Sequence, residues 1–228
     1  MWIDDQILNQ CKKAIVNHVW IPEKNMIVLG SSNKSSVELH EENVSATKTS
    51  VLKRCGGGGT VILYKGCVVV SLGCWVAHQF KNDFYFDKIN QSVIDTLASK
   101  WPEFSELSQS GLSDIVLGDK KIAGTSMFRS KNYLLYQASI LVDLDLKLIQ
   151  NLIQQPSKQP EYRANRKHED FLIGLSGIVN VTPTQVAGQL QLRLEEYLSK
   201  NLGEEMSQPQ EKQFKNIFER VTRNNQTA

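Results

Sequence analysis

Val51-Leu52-Lys53-Arg54 leads into Cys55-Gly56-Gly57-Gly58-Gly59, and Thr60-Val61-Ile62-Leu63-Tyr64 follows; the reading of this stretch decides the fold class. The run after the glycines is β-branched and reads as a strand, as does Cys67-Val68-Val69-Val70-Ser71-Leu72, with Lys65-Gly66 between them as a hairpin-like turn. Because a strand and not a helix follows the glycines, the loop is not a dinucleotide fingerprint, and without a Gly-Lys-Ser/Thr ending it is not a P-loop. Consecutive glycines let backbone N–H groups converge on one point without side chains in the way, which suits a phosphate. The same run also suits a tight strand connection. The neighbouring Arg54 cation weighs toward an anion.

Working outward, Ile27-Val28-Leu29-Gly30 predicts a strand running into a polar loop. Asp87 is a candidate N-cap for a helix reaching about Lys100, with Ile89, Val93, Ile94, Leu97 and Trp101 on one face, before Pro102 stops it. Strands are expected at Asp114-Ile115-Val116-Leu117 and Lys121-Ile122-Ala123, around the turn Gly118-Asp119-Lys120, and from Tyr133 to Val142. A helical pattern at Leu148, Ile149 and Leu152 precedes Pro156, and the polar residues 154–167 read as a surface loop. Thr182-Pro183-Thr184-Gln185 has the form of a capping box with proline at N1, opening a helix through Val186, Leu190, Leu194, Tyr197 and Leu198 toward a C-cap at Gly203. Phe214, Ile217, Phe218 and Val221 suit a short amphipathic helix or a frayed tail. These elements give a mixed α/β (α+β) fold in one domain over residues 1–228.

Composition narrows the function class. With 228 residues, 41% hydrophobic and 22% charged, the chain is an ordinary globular protein. Its 26 Lys+Arg against 24 Asp+Glu leave +2, and neither that balance nor any basic run suggests nucleic acid. Cys11, Cys55, Cys67 and Cys74 match no C-x-x-C pattern and read as reduced thiols. The N-terminus is acidic where a signal peptide is basic, and the longest apolar run is far short of a membrane span, so a cytoplasmic protein without membrane attachment is expected. Trp20, Trp75 and Trp101 read as core, and His168 as a surface or capping histidine that makes a poor metal ligand alone.

A second candidate for chemistry is Lys121, at the start of a strand that runs into Gly124-Thr125-Ser126. Its ammonium suits a carboxylate or phosphate, with Gly124 allowing close approach; a turn with solvated lysines is the plainer reading. Adjacent strand residues face opposite ways, so Lys120 is expected to be the solvated partner of Asp119. Asp114 suits either a partner for Lys121 or an ordinary surface acid.

These residues carry a family resemblance. Arg54 to Val61 resembles the R-x-x-G-G-G-[AT]-V motif of lipoate-protein ligases, in the biotin/lipoate protein ligase superfamily. Ser110-Gly111-Leu112-Ser113-Asp114-Ile115-Val116 with Asp119 to Ser126 is similar to their N-D-[IL]-x-x-x-G-x-K-[IV]-[SA]-G-[ST]-A segment, and Glu161-Tyr162-Arg163 to His168, Phe171 and Leu172 to a Y-R-x-x-R-x-H-x-x-F-L segment. The resemblance implies a mixed sheet backed by helices and a two-step reaction. ATP, with Mg2+, activates lipoate to lipoyl-AMP, and the lipoyl group passes to a lysine of a lipoyl carrier domain, in a 2-oxoacid dehydrogenase or the glycine cleavage H protein. It implies Lys121 as the catalytic residue, and Arg54, Gly57, Gly58, Gly59, Thr60, Val61, Cys67, Asp114, Gly124, Ser126, Gln137 and Ser139 as adenylate or lipoate contacts, with no protein metal site. An accessory C-terminal domain is not evident, so a separate partner chain is one expectation.

The pattern departs from the family at the His-His-Gly, which is Tyr136-Gln137-Ala138; at the Asn before the Asp, which is Ser113; at the His-Asp after the glycine loop, which is Leu63-Tyr64; and at Cys67, where an asparagine is usual. An octanoyltransferase, or an accessory protein that binds lipoyl domains without chemistry, are the alternatives. The first needs a cysteine nucleophile, and none lies at either transferase position.

Overall fold

The computed structural model describes residues 3–214, 216 and 217. In chain order the elements are α1 (Ile3–Leu8), β1 (Ile15–Trp20), β2 (Met26–Leu29), α2 (Ser35–Glu38), α3 (Glu41–Thr47), β3 (Ser50–Lys53), β4 (Val61–Leu63), β5 (Cys67–Trp75), α4 (Asn82–Ala98), β6 (Leu107–Ser110), β7 (Asp114–Leu117), β8 (Lys120–Ser130), β9 (Tyr133–Leu141), α5 (Leu146–Leu152), α6 (His168–Phe171) and α7 (Pro183–Leu202). The fold is mixed α/β, as expected. β1-β5-β9-β8-β7-β6 form an antiparallel six-stranded sheet, and β3-β2-β4 a small sheet in which β2 runs parallel to β3 and antiparallel to β4.

Strand alternation sets the layers. Val68, Val70, Leu72 and Cys74 of β5 and Leu134, Tyr136 and Ile140 of β9 turn to one face, where they pack with the apolar stripes of α4 and α7 in the main core. The opposite face, carrying Val69 of β5 and Gln137 and Ser139 of β9, looks toward the small sheet and is left for the site. α7 opens on the expected capping box, Thr182 accepting from the Gln185 amide while the Gln185 side chain accepts from the Thr182 N–H. Gly203 is its C-cap, in right-handed backbone continuing into a short 3-10 turn.

Two expectations are corrected. α4 begins at Asn82, so Asp87 is interior and not the N-cap. Tyr85 and Phe86 are buried, Phe86 edge-on to Tyr136, and that burial carries the helix upstream of the polar signal. The turn at Lys65-Gly66 is present but makes no hairpin, because β4 pairs with β2 and β5 with β1 and β9. Gly66 is seated on the end of β9: its carbonyl accepts from the Val142 and Asp143 amides, and a Cβ there would lie 2.4 Å from the Asp143 oxygen. The chain therefore switches sheets at the one residue able to approach so closely. Residues 211–214 are helical, with Phe214 edge-on to Trp75, while Phe218 and Val221 lie outside the described residues.

Candidate functional site

Between the two sheets lies a cavity of about 690 Å3, in the size range of small-molecule sites. Its floor is two cross-strand rows of the large sheet, Val69–Ser139–Gly124 and Ser71–Gln137–Ser126, of which all but Ser71 line the cavity. Trp20, Val28, Val61 and Leu63 form one apolar wall; Ile149, Ile153, Phe171 and Leu172 form another. Trp20, expected as core, packs on Val28, Leu63 and Val69 and also walls the cavity, whereas Trp75 is fully buried with its indole N–H donating to the Cys11 carbonyl at 2.7 Å.

The glycine loop enters from the small sheet, with Gly58, Gly59 and Thr60 on the cavity and Gly57 outside its lining. Arg54, 5% exposed, organises it. Nη2 donates to the Gly57 and Gly59 carbonyls at 2.8 and 2.7 Å, and Nε donates to Gly57 again at 3.1 Å. In a trans peptide the N–H opposes its C=O, so drawing these two carbonyls to the guanidinium turns the amides of Gly58 and Thr60 away from it. Gly58 has φ +91°, a region closed to most side chains, and the missing Cβ of Gly30 admits the Gly58 oxygen, which a methyl there would meet at 2.1 Å. Arg54 is therefore tied to the loop, and it also lines the cavity.

Lys121 reaches the cavity from the second position of β8; Lys120 does not line it. Ile115 pairs with Ala123 but Val116 with Lys121, so Ile122 is an extra residue, a bulge that brings Lys121 and Gly124 onto one face. A Cβ on Gly124 would stand 3.1 Å from Lys121 Nζ, so this glycine makes room for the lysine side chain. Lys121 Nζ pairs with Asp114 Oδ1 at 2.8 Å, both side chains largely withdrawn from solvent at 24% and 14% exposure. Asp119 does not pair with Lys120 as expected; its carboxylate takes Arg166, whose fork can also reach the Asp119 carbonyl.

Residues 154–167, expected as a surface loop, run as a strap across the cavity mouth, contributing Pro156, Ser157, Lys158, Gln159, Pro160 and Arg163 to its lining. One end is held by Gln154, whose side chain donates to the Leu39 carbonyl at 2.7 Å, and by Ser157, which donates to Glu38. The other is held by Tyr162, whose O–H donates to Asp114 Oδ2 at 2.8 Å. His168 just beyond is not a surface histidine: it lines the cavity, and burial, followed by the charges of Arg163 and Lys121, pushes its pKa down to about 4. The sequence signal for this strap was the tyrosine–arginine–histidine segment, whose role only the fold reveals.

Two candidate contacts fall outside the cavity lining, Gly57 and Cys67. Cys67 is wholly buried in a satellite core between α5 and the small sheet; its side chain has no surface to offer a ligand. Burial pushes the Cys67 and Cys74 thiols up to about 12, and none of the four cysteines lines the cavity. The departures divide the same way. Tyr136 faces the helices, its O–H donating to Asn90 at 2.6 Å, and Tyr64 donates to the Asp143 carbonyl away from the site. Gln137, Ala138 and Leu63 do line the cavity. Ser113 lines it too, its carbonyl accepting from Thr125 and Asn90. Among the described residues no three His, Cys, Asp or Glu come together as a metal cage, and no helix is long and apolar enough to cross a membrane.

Residues 1–195 match the family model of the lipoyl protein ligase A/B catalytic domain. Similar curated proteins include the inactive lipoate–protein ligase 2 of Plasmodium falciparum, 28% identical over 182 residues (65% of this chain, 47% of that one). Another is lipoate–protein ligase 1 of Staphylococcus aureus, 27% identical over 134 residues (58% and 39%). The chain thus spans about half or less of the length of the curated relatives it matches. Among solved structures, a bi-partite lipoate protein ligase studied with its E2 lipoyl domain, from Thermoplasma acidophilum, aligns with TM-score 0.72 at 17% identity, covering 95% of this chain and 85% of that one. A lipoate-protein ligase A bound with ATP aligns with TM-score 0.68 at 16% identity, covering 94% and 87%. At those identities the likeness shows the fold.

Proposed function

The chain belongs to the lipoyl protein ligase A/B catalytic-domain family, and from that premise we propose that it activates lipoate with ATP to lipoyl-AMP and transfers the lipoyl group to a lysine of a lipoyl carrier domain. The observation that carries this reading is Lys121, a cation held by Asp114 at the edge of a cavity that has a glycine loop on one side and apolar walls on the others. In the first step a carboxylate oxygen bonds to the α-phosphorus of ATP and pyrophosphate leaves. Negative charge gathers between carboxylate and phosphate, where a fixed ammonium stabilises the transition state without reorganising. In the second step the acceptor amine bonds to the acyl carbon, AMP departs, and the amine loses a proton.

Residue roles follow from position. Lys121 faces the reacting carboxylate; Gly58, Gly59 and Thr60 hold phosphate through backbone amides; Arg54 shapes that loop. Gly124, Ser126, Gln137 and Ser139 floor the site, and Val61 with Val28 and Leu63 walls the acyl chain. Magnesium, supplied with ATP, would neutralise charge on the phosphates beside the glycine loop. The bi-partite archaeal neighbour supports a separate accessory chain as partner.

A second reading is favoured by Gln137 and Ala138 at the cavity, where the family has histidine and glycine, and by the Plasmodium relative whose name declares it inactive: an impaired domain that binds lipoyl carriers or the adenylate without turnover. The transferase alternative lacks a cysteine on the cavity. Intact-mass measurement of a carrier domain incubated with the protein, ATP, magnesium and lipoate separates them. An ATP-dependent lipoyl adduct supports the ligase. Carrier binding without an adduct, with or without an accessory chain added, supports the impaired domain, and an adduct formed only when an acyl-carrier protein replaces ATP and lipoate supports the transferase.

A further inference from the structure

The strap grips the lysine. Asp114 has two oxygens and two donors: Lys121 Nζ on Oδ1 and the Tyr162 O–H on Oδ2, both at 2.8 Å. A carboxylate held at both oxygens cannot rotate, so the direction of the ammonium depends on a residue that does not touch it. We propose that Tyr162 is a positioning residue for Lys121, acting through Asp114 to aim the ammonium across Gly124 into the cavity. This rests on the ligase reading of Lys121.

Independent contacts show that the tyrosine is built in. Gly111, at φ +58°, turns the chain between β6 and β7, and a Cβ there would press on the Tyr162 ring at 3.3 Å and on Pro160 at 3.4 Å. The second motif's glycine therefore makes the seat for the strap's tyrosine. The ring also meets Phe171 at 5.3 Å between centroids, with the Arg163 guanidinium over Phe171 at 4.6 Å. Arg166 ties the strap to the β7–β8 turn, donating to the Tyr162 carbonyl and to the Asp119 carbonyl, each at 2.9 Å. Past α6 the chain that follows the strap holds the lysine's own backbone, the Ile173 amide donating to the Lys121 carbonyl at 3.0 Å. Burial, with the Asp114 carboxylate next, pushes the phenol well above the ordinary tyrosine range, so it remains an O–H donor.

A merely structural tyrosine would weaken the site whatever stood at position 121; a positioning residue matters only while the lysine is there. The test is a double-mutant cycle on the Kd of lipoyl-sulfamoyl-adenosine, a non-hydrolysable mimic of the acyl adenylate, measured by calorimetry. Tyr162→Phe loses one oxygen and keeps the ring contacts, and a melting curve run alongside confirms folding. Expected are losses of about tenfold for Tyr162→Phe and about a hundredfold for Lys121→Ala, with the double variant within about twofold of Lys121→Ala. Losses that multiply, or wild-type affinity in Tyr162→Phe, overturn the positioning role and leave the ligase reading standing. No binding by the wild type overturns both. Should Tyr162→Phe melt early, Gly111→Ala, which displaces the ring without removing the donor, is expected to show the same coupling to Lys121, and multiplying losses there overturn the role equally.

Discussion

Arg54→Ala removes a forked cation from the base of the glycine loop. Three donor bonds of 2.7 to 3.1 Å run to two carbonyls, Gly57 and Gly59, from a residue only 5% exposed. A hydrogen bond to a charged group contributes about 1.5–3 kcal/mol. The two carbonyls lie in a part-buried loop where water replaces some of the loss, so the sum is about 3 kcal/mol. For a protein of this length that corresponds to a fall in melting temperature of about 6–12 °C. Arg54→Lys keeps the charge but offers a single ammonium where the loop uses a planar fork, and should recover less than half of the loss. Differential scanning calorimetry with and without ATP plus lipoate reads both consequences, since the loop amides lose their orientation with the guanidinium and the ligand-induced rise should disappear in Arg54→Ala. A variant that melts within about 2 °C of wild type and keeps the full ligand shift would show that the guanidinium does not hold the loop.

Lys121→Ala should slow acid-dependent pyrophosphate exchange at least a hundredfold, about 3 kcal/mol on the barrier, and Lys120→Ala less than twofold; equal effects contradict the assignment of the cavity-facing lysine. A folded variant with all four cysteines changed to Ser or Ala should keep activity within about tenfold, and an acyl group found on Cys67 would sink that expectation. His168 has a folded-state pKa near 4, below the unfolded value of 6.5, so the unfolded chain binds more protons between the two and wild type should lose stability through that window as pH falls. His168→Gln should lack this part of the loss, with no difference between the two above about pH 7; parallel melting curves down to pH 4 would contradict the buried neutral histidine.

The glycine run and the lysine segment were legible because each is a local signal. A run of glycines flanked by β-branched residues dictates a loop between strands, and Thr182 with Gln185 carries its own capping chemistry. What escaped sequence reading was decided by distant partners. Lys65-Gly66 has the composition of a hairpin, yet the seat of Gly66 on the end of β9 sends β4 and β5 into different sheets. Nothing local tells that the Arg54 fork closes on carbonyls three and five residues ahead. Residues 154–167 are polar and partly exposed, as expected of a surface loop; what the sequence does not carry is their anchoring, since Leu39, Glu38, Asp114 and Asp119 lie far off in sequence. Cys67 sat where the family places a ligand-contacting asparagine, and a fully buried neighbourhood between two elements claimed it instead.

In the proposed reaction this cavity joins a carboxylate to an adenylyl group under the charge of Lys121. Lipoate-dependent exchange of labelled pyrophosphate into ATP by the purified wild-type chain tests it without any acceptor domain, and so independently of how carriers dock. Exchange is expected to require lipoate and to fall at least a hundredfold in Lys121→Ala. Exchange that is absent in a folded wild type, with lipoate and ATP each shown to bind, would contradict it.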